Sequence, residues 1–277
     1  MNFGFVFPGG DARTAANYAY EAEQAGWDGF FIWEPVWGND AWVSLAAAAM
    51  RTEHIRLGTM LTPLPRMRPW KLASETVSLD HLSKGRVILA VGLGAVDTGF
   101  EEFGEVVDRR ERAELLDEGL EILTRLWQAQ PFDFDGKHYH VHIKKIGGPL
   151  GAPAPLQQPR IPIWVVGAWP RRKSMARALR YDGLLPAMMG QDGQVQFNPP
   201  TPADLREMAT FVHANRTQST QFDFIMEGRT PGDDPAQAAA VVAPYAQAGA
   251  TWWNEALWDA PDPASVLARL RQGPPRL

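Results

Sequence analysis

An eightfold alternation of short apolar, β-prone runs with helical runs constrains this chain more than any other feature. The pattern predicts strands at Asn2–Phe7, Trp27–Trp33, Ile55–Leu61, Arg86–Val91, Ile161–Val166, Asp182–Leu185, Phe222–Met226 and Thr251–Leu257. Helices are predicted after them: from the cap Asp11 to Gln24, then Trp42–Arg51, Pro69–Ser83, Asp108–Gln128, Pro170–Arg180, Pro202–Asn215, Pro235–Ala248 and Pro263–Gln272. Proline suits a first helical turn, where its missing N–H has no partner to lose. Strand–helix alternation implies a parallel sheet. Eight units in 277 residues imply closure into an α/β (β/α)8 TIM barrel, one domain over residues 1–277. A doubly wound open sheet is the alternative.

Regularity breaks between the fourth and fifth strands. Residues 133–142 read Asp-Phe-Asp-Gly-Lys-His-Tyr-His-Val-His, and a Gly/Pro-rich tract follows through Gln158-Pro159. The stretch from about 130 to 160 reads as an inserted hairpin plus a loop. Long loops on a barrel's C-terminal face are commonly binding loops or lids, which sets the expectation for this stretch.

Composition removes several classes. Net charge is −5, from 27 basic and 32 acidic groups, so no basic footprint points to nucleic acid. No run of 18 apolar residues is present and the first residues lack a basic n-region, so neither a membrane span nor a signal peptide is expected. With no cysteine, disulfides, thiolate catalysis and cysteine-ligated metals are excluded, and a cytoplasmic location fits. His138, His140 and His142 share one face of a strand at a spacing that suits zinc. The only carboxylates at supporting spacing are Asp133 and Asp135, so the expectation is an edge strand with a polar face and no metal.

In a barrel, ligand-facing groups sit at the C-terminal ends of strands. Here these are Phe7, Trp33, Glu34, Trp37, Thr59, Met60, Leu61, Thr62, Gly92, Gly94, Gly167, Ala168, Trp169, Pro186, Met189, Glu227, Trp253 and Glu255. The set is aromatic, small and neutral, which points to a flat aromatic ligand rather than a metal-dependent hydrolase. Glu34, Glu227 and Glu255 are the candidates for acid/base work.

One stretch breaks a local rule. In Val166-Gly167-Ala168-Trp169-Pro170-Arg171-Arg172-Lys173-Ser174, three cations crowd a helix start, where the macrodipole disfavours them. An anion between them would relieve the conflict, and helix N-termini bind phosphate readily. A phosphate site using the backbone of Gly167, Ala168 and Trp169 with one or more of Arg171, Arg172 and Lys173 is expected, a solvated basic patch being the alternative. Arg109, Arg110 and Arg112 form a second basic cluster, which pairing with Glu111 and Glu114 along the helix surface explains.

Several motifs in order resemble those of the luciferase-like monooxygenase family. They are Leu-Gly-Thr-Met-Leu-Thr-Pro-Leu-Pro-Arg-Met-Arg-Pro-Trp-Lys-Leu-Ala from Leu57, Leu-Asp-His-Leu-Ser-Lys-Gly-Arg from Leu79, and Val-Gly-Leu-Gly from Val91. Asp117–Leu123, Phe134–Tyr139 and Val165–Pro170 continue the series over nearly the whole chain. The resemblance implies a (β/α)8 barrel binding FMN, or alternatively the deazaflavin coenzyme F420, as an oxidoreductase acting on a small organic substrate. With reduced FMN the reaction would be monooxygenation; with F420 it would be hydride transfer; a flavin-binding relative without turnover is a further alternative. It implies a non-proline cis peptide behind the ring, here Met60–Leu61, with Phe7, Trp33, Trp37, Trp169 and Trp253 as aromatic walls. A flavin or F420 reductase as reductant source and a homodimer are implied by resemblance alone. No histidine falls at a predicted strand end, and no cysteine is present, so light emission is not implied.

Overall fold

The computed structural model describes residues 1–145, 153–190, 195–196, 198–260 and 262–277. Its first half runs β1 (Asn2–Phe7), α1 (Ala12–Gln24), β2 (Gly29–Ile32), α2 (Ala41–Ala49), β3 (Arg56–Thr59), β4 (Thr62–Pro63), α3 (Pro69–Leu82), β5 (Val87–Gly92) and α4 (Arg109–Trp127). A hairpin, β6 (Phe132–Asp135) and β7 (His140–Ile143), follows. Then come β8 (Ile163–Trp169), α5 (Arg172–Ala178), β9 (Gly183–Met189), β10 (Val195–Gln196), α6 (Pro202–Asn215), β11 (Asp223–Gly228), α7 (Pro235–Gln247), β12 (Trp252–Ala256) and α8 (Pro263–Arg271).

β1, β2, β3, β5, β8, β9, β11 and β12 each pair in parallel with the next, and β12 returns to pair with β1. The ring is closed, so this is the (β/α)8 barrel and not the open sheet. Side-chain oxygens start the helices. Asp11, Asp40, Asp108, Thr201, Asp234 and Asp262 each accept an N–H from the first turn of the helix that follows, satisfying donors that have no partner within the helix. No helix among the described residues is long and apolar enough to cross a membrane.

Strand alternation divides the apolar residues into two layers. One fills the barrel interior: Val6, Phe31, Ile88, Ala90, Trp164, Leu185, Ile225, Trp252 and Ala256. The other, larger layer lies between the strands and the surrounding helices and includes Phe5, Phe7, Leu57, Val165 and Trp253. Trp164 anchors the interior, tilted against Phe31 at 5.4 Å and edge-on to Trp252 at 5.1 Å between ring centroids. Gly58 lets β3 approach β5, since a Cβ there would sit 2.2 Å from the Ile88 carbonyl oxygen.

Two expectations are corrected. The third strand does not run unbroken through Leu61: β3 stops at Thr59, the Met60–Leu61 peptide is cis, and β4 resumes against Val91 and Gly92 of β5. The insertion is not a loop on the C-terminal face. It follows α4, so it leaves from the opposite end, and the hairpin turn is held against the helix by Glu118, whose carboxylate accepts the N–H groups of Lys137, His138 and Tyr139 at 2.8, 3.0 and 3.0 Å. The chain after it caps the N-terminal end of the barrel, where Asp80 accepts from the Leu156 N–H at 2.7 Å and the Gln157 amide at 2.8 Å. Residues 146–152 of the expected insertion lie outside the described residues.

Candidate functional site

Above the interior layer, the next inward positions form the barrel mouth. Met60, Leu61 and Val166 pack directly on the interior side chains. Gly92 faces inward beside them, its absent Cβ lying 3.0 Å from both Leu61 and Val166. Ala168 follows Val166 by two and is buried. Trp33 follows Phe31 by two and, with Pro8, Trp37 and others, lines a hollow of about 210 Å³. Trp37 is exposed, in the loop after β2. The floor of this mouth is therefore apolar, and Met60 and Leu61 form its centre.

Other residues proposed from sequence face away from the mouth. Phe7 packs in the strand–helix layer, edge-on to Tyr18 at 5.6 Å and tilted against Phe30 at 6.0 Å, while one edge also lines the hollow beside Trp33. Trp253 lies in the same layer, 5.4 Å from Tyr245. Gly94 has a φ of +79°, a left-handed conformation that favours glycine, and a Cβ there would meet Phe100 at 2.5 Å and Pro63 at 2.8 Å. A Cβ on Gly167 would meet Leu184 and Met175, so its lack of a side chain lets α5 approach the barrel. Glu255 is fully buried. Its Oε1 accepts from the Thr230 N–H at 2.7 Å and its Oε2 from the Thr230 hydroxyl at 2.8 Å, and Arg269 lies 3.3 Å away. It ties the loop after β11 to α8 and does not reach the mouth.

Glu34 lies behind the Met60–Leu61 bulge. Its Oε2 accepts from the Thr62 hydroxyl at 2.7 Å, and Thr62 Oγ1 is 2.9 Å from Thr59 Oγ1. Thr59 and Thr62 flank Met60 and Leu61, so this clasp closes the bulge from outside. Arg66 adds a long ion pair, 3.7 Å from Glu34 Oε1, and donates to the Pro35 carbonyl at 2.6 Å. Burial pushes the Glu34 carboxyl up to about 7; Thr62 and Arg66 pull the other way, while Glu75 and Asp40 add to the rise.

At the far side of the mouth, β8 ends in Trp169, whose ring meets Phe211 edge-on at 5.7 Å. The Trp169–Pro170 peptide is cis. The Ala168 N–H is already taken by the Ser174 hydroxyl at 2.9 Å, and α5 has only 7 residues. Arg171 occupies its cap and Arg172 its first turn. The cations do not stand alone there. Arg109 comes from the start of α4, within 3.7 Å of the Met189 sulfur, and its pKa is lowered by burial and then by the Arg171 charge. Arg112, buried, donates to the Leu93 and Gly94 carbonyls at 3.0 and 2.9 Å and so holds the loop after β5. Surface pairing accounts for Arg110, 3.1 Å from Glu114, but not for these two. Arg109 opposes a helix dipole just as Arg172 does, which was the available signal.

Glu227 is the carboxylate that reaches the mouth from β11. Its Oε1 accepts from the Trp258 indole N–H at 2.7 Å, and burial raises its pKa while Trp258 lowers it. The hairpin histidines pair with carboxylates: His140 with Asp135, His142 with Asp133, each at 3.1 Å, and His138 with Glu114 at 3.1 Å. Among the described residues no group of three or more histidine and carboxylate side chains is placed to hold a metal ion.

The family model described as luciferase-like monooxygenase matches residues 1–265. The chain is 30% identical over 134 residues to the oxygenase component of flavin-dependent trigonelline monooxygenase from Acinetobacter baylyi, covering 48% of this chain and 36% of that protein. It is 30% identical over 154 residues to F420-dependent glucose-6-phosphate dehydrogenase from Amycolatopsis mediterranei, covering 52% of this chain and 46% of that one. The chain thus spans less than half the length of these curated relatives. Its fold is similar to that of coenzyme F420-dependent tetrahydromethanopterin reductase from Methanopyrus kandleri, with a TM-score of 0.76 at 16% identity, covering 99% of this chain and 98% of that one.

Proposed function

The chain belongs to the luciferase-like monooxygenase family, and on that premise we propose that it is a flavin-dependent oxidoreductase acting on a small organic substrate. The observation that carries this is the pairing of two features at one barrel mouth. An apolar floor of Met60, Leu61 and Val166 suits the face of a flavin ring. The Arg109–Arg171 corner, where one guanidinium depresses the pKa of the other, suits a phosphate, which would relieve like-charge repulsion. We assign Met60, Leu61 and Trp33 to the ring and Arg109, Arg171 and Arg172 to the phosphate. Thr59, Thr62 and Glu34 shape the ring-backing segment from behind. When bound, FMN supplies the redox chemistry; the chain positions it and shields it from water.

Coenzyme F420 also joins a flat ring system to a phosphate, so the same features suit it, and the Amycolatopsis relative is named F420-dependent. Titration of the full chain with FMN and separately with F420, followed by absorbance and fluorescence, decides between them. Binding of FMN with perturbed ring spectra is the expected result; binding of F420 alone would replace the cofactor, and binding of neither would overturn the assignment. The Acinetobacter relative is named an oxygenase component, and we propose that this chain likewise receives reduced flavin from a separate reductase, in the cytoplasm. A homodimer is part of the same proposal. Val43 and Trp70 stand exposed on the neighbouring helices α2 and α3, with Met50 at the end of α2. Light scattering in solution measures it.

A further inference from the structure

Glu227 is the one strand carboxylate that alternation aims into the C-terminal mouth among the described residues. Ile225, two residues before it, belongs to the barrel interior. Gly228, one after, faces the other way: a Cβ there would lie 2.5 Å from the Trp253 ring. The carboxylate is half-buried, and its hydrogen-bond partner is the Trp258 indole N–H at 2.7 Å. Only burial and this indole move its pKa, so no neighbouring charge offsets its own. Asn254 stands next to it in register across β11 and β12. Asn254 is fully buried in the barrel interior, its Oδ1 packed over Gly4 of β1 and its Nδ2 3.6 Å from the Met60 sulfur. This wall of an apolar mouth therefore carries a carboxylate with no counter-charge beside it among the described residues. A carboxylate drawn out of water without a cation is costly. A ligand cation bearing N–H donors would pair with its free oxygen.

We propose that Glu227 forms a subsite that selects a substrate carrying a protonated amine on an apolar body. The subsite rests on the oxidoreductase reading only in calling that ligand a substrate. The half-exposed Trp258 (49% exposed) occupies one carboxylate oxygen and leaves the other for the amine. The amine would stand at the β11–β12 wall, with its apolar body extending over Met60 and Leu61.

The test is calorimetric titration of the full chain, without cofactor, with 2-phenylethylamine and its neutral isostere 2-phenylethanol near pH 8, where the amine is protonated. Wild type should prefer the amine by about tenfold or more, the scale of a shielded charge pair. Glu227→Gln keeps an acceptor for Trp258 but removes the charge; it should bind the alcohol as wild type does and shrink the preference to within about threefold. Trp258→Phe should keep the preference. Equal binding of both ligands by wild type, no binding of the amine, or a preference that survives Glu227→Gln would each overturn the subsite. FMN and F420 titrated against the same proteins separate the two levels. Lost amine preference with intact cofactor binding overturns the subsite alone, whereas an amine preference without any cofactor binding overturns the oxidoreductase reading alone.

Discussion

Glu34 shows how much a single buried group can govern. Its carboxyl titrates near 7 in the folded chain against 4.5 for an ordinary glutamate. Between those values the folded state holds a proton that the unfolded state has released, so stability should fall as pH rises through that window. The loss is on the order of 3 kcal/mol if the group behaves independently. Glu34→Gln should flatten the decline, which urea denaturation at several pH values between about 4.5 and 8 measures; an unchanged pH slope would remove Glu34 as its source. Trp164 makes a different prediction. It is fully buried at the centre of the barrel interior, so Trp164→Ala should cost about 3–5 kcal/mol, read from the denaturation midpoint. At this scale Met60, Leu61, Gly92 and Ala168 were legible as mouth residues, whereas Trp253 and Glu255, expected there too, pack outward. Parallel barrel strands are buried on both faces and read as continuous apolar runs. In Phe-Gly-Phe-Val-Phe the parity of in and out has no signature, and register in the closed ring decides it.

At the scale of elements, local chemistry was informative. The helix starts follow from side chains that accept first-turn N–H groups. At α6, Thr201 and Asp204 form a reciprocal capping box, with Asp204 Oδ2 accepting from the Thr201 N–H at 2.8 Å. Thr201→Ala should lower stability by about 1 kcal/mol without altering ligand binding, as thermal melts alongside FMN titration would show. The β3–β5 contact is less forgiving. A Cβ at Gly58 meets backbone, the Ile88 carbonyl oxygen at 2.2 Å, which no rotamer change relieves. Gly58→Ala should therefore destabilise by roughly 3 kcal/mol, and because β3 leads into Met60 it should weaken FMN binding as well. The hairpin was legible as a hairpin from its alternating polar face. Its place at the N-terminal end was implicit in the order of elements, because the stretch follows a predicted helix and precedes a strand, and Glu118 of α4 holds the turn there.

Across the whole molecule, barrel closure brings the start of α4 to the turn after β8, some sixty residues apart in sequence. There the Arg109 and Arg171 charges come near enough to act on each other. Replacing each by Gln should weaken FMN binding by about tenfold, while riboflavin, which lacks the phosphate, should bind as before; equal losses for both ligands would place the phosphate elsewhere. By itself the sequence determined the eight strand–helix units, their caps, the parallel barrel they imply and the bend at Met60–Leu61. These follow from periodicity, capping chemistry and family motifs, all of which act over short spans. Tertiary structure alone decided which face of each strand looks inward, that Glu34 clasps Thr62, that Glu227 and Asn254 share a wall, and that two arginines from different helices face one corner. Those relations depend on strand register and ring closure, and long-range geometry of that kind leaves no mark on a short stretch of residues.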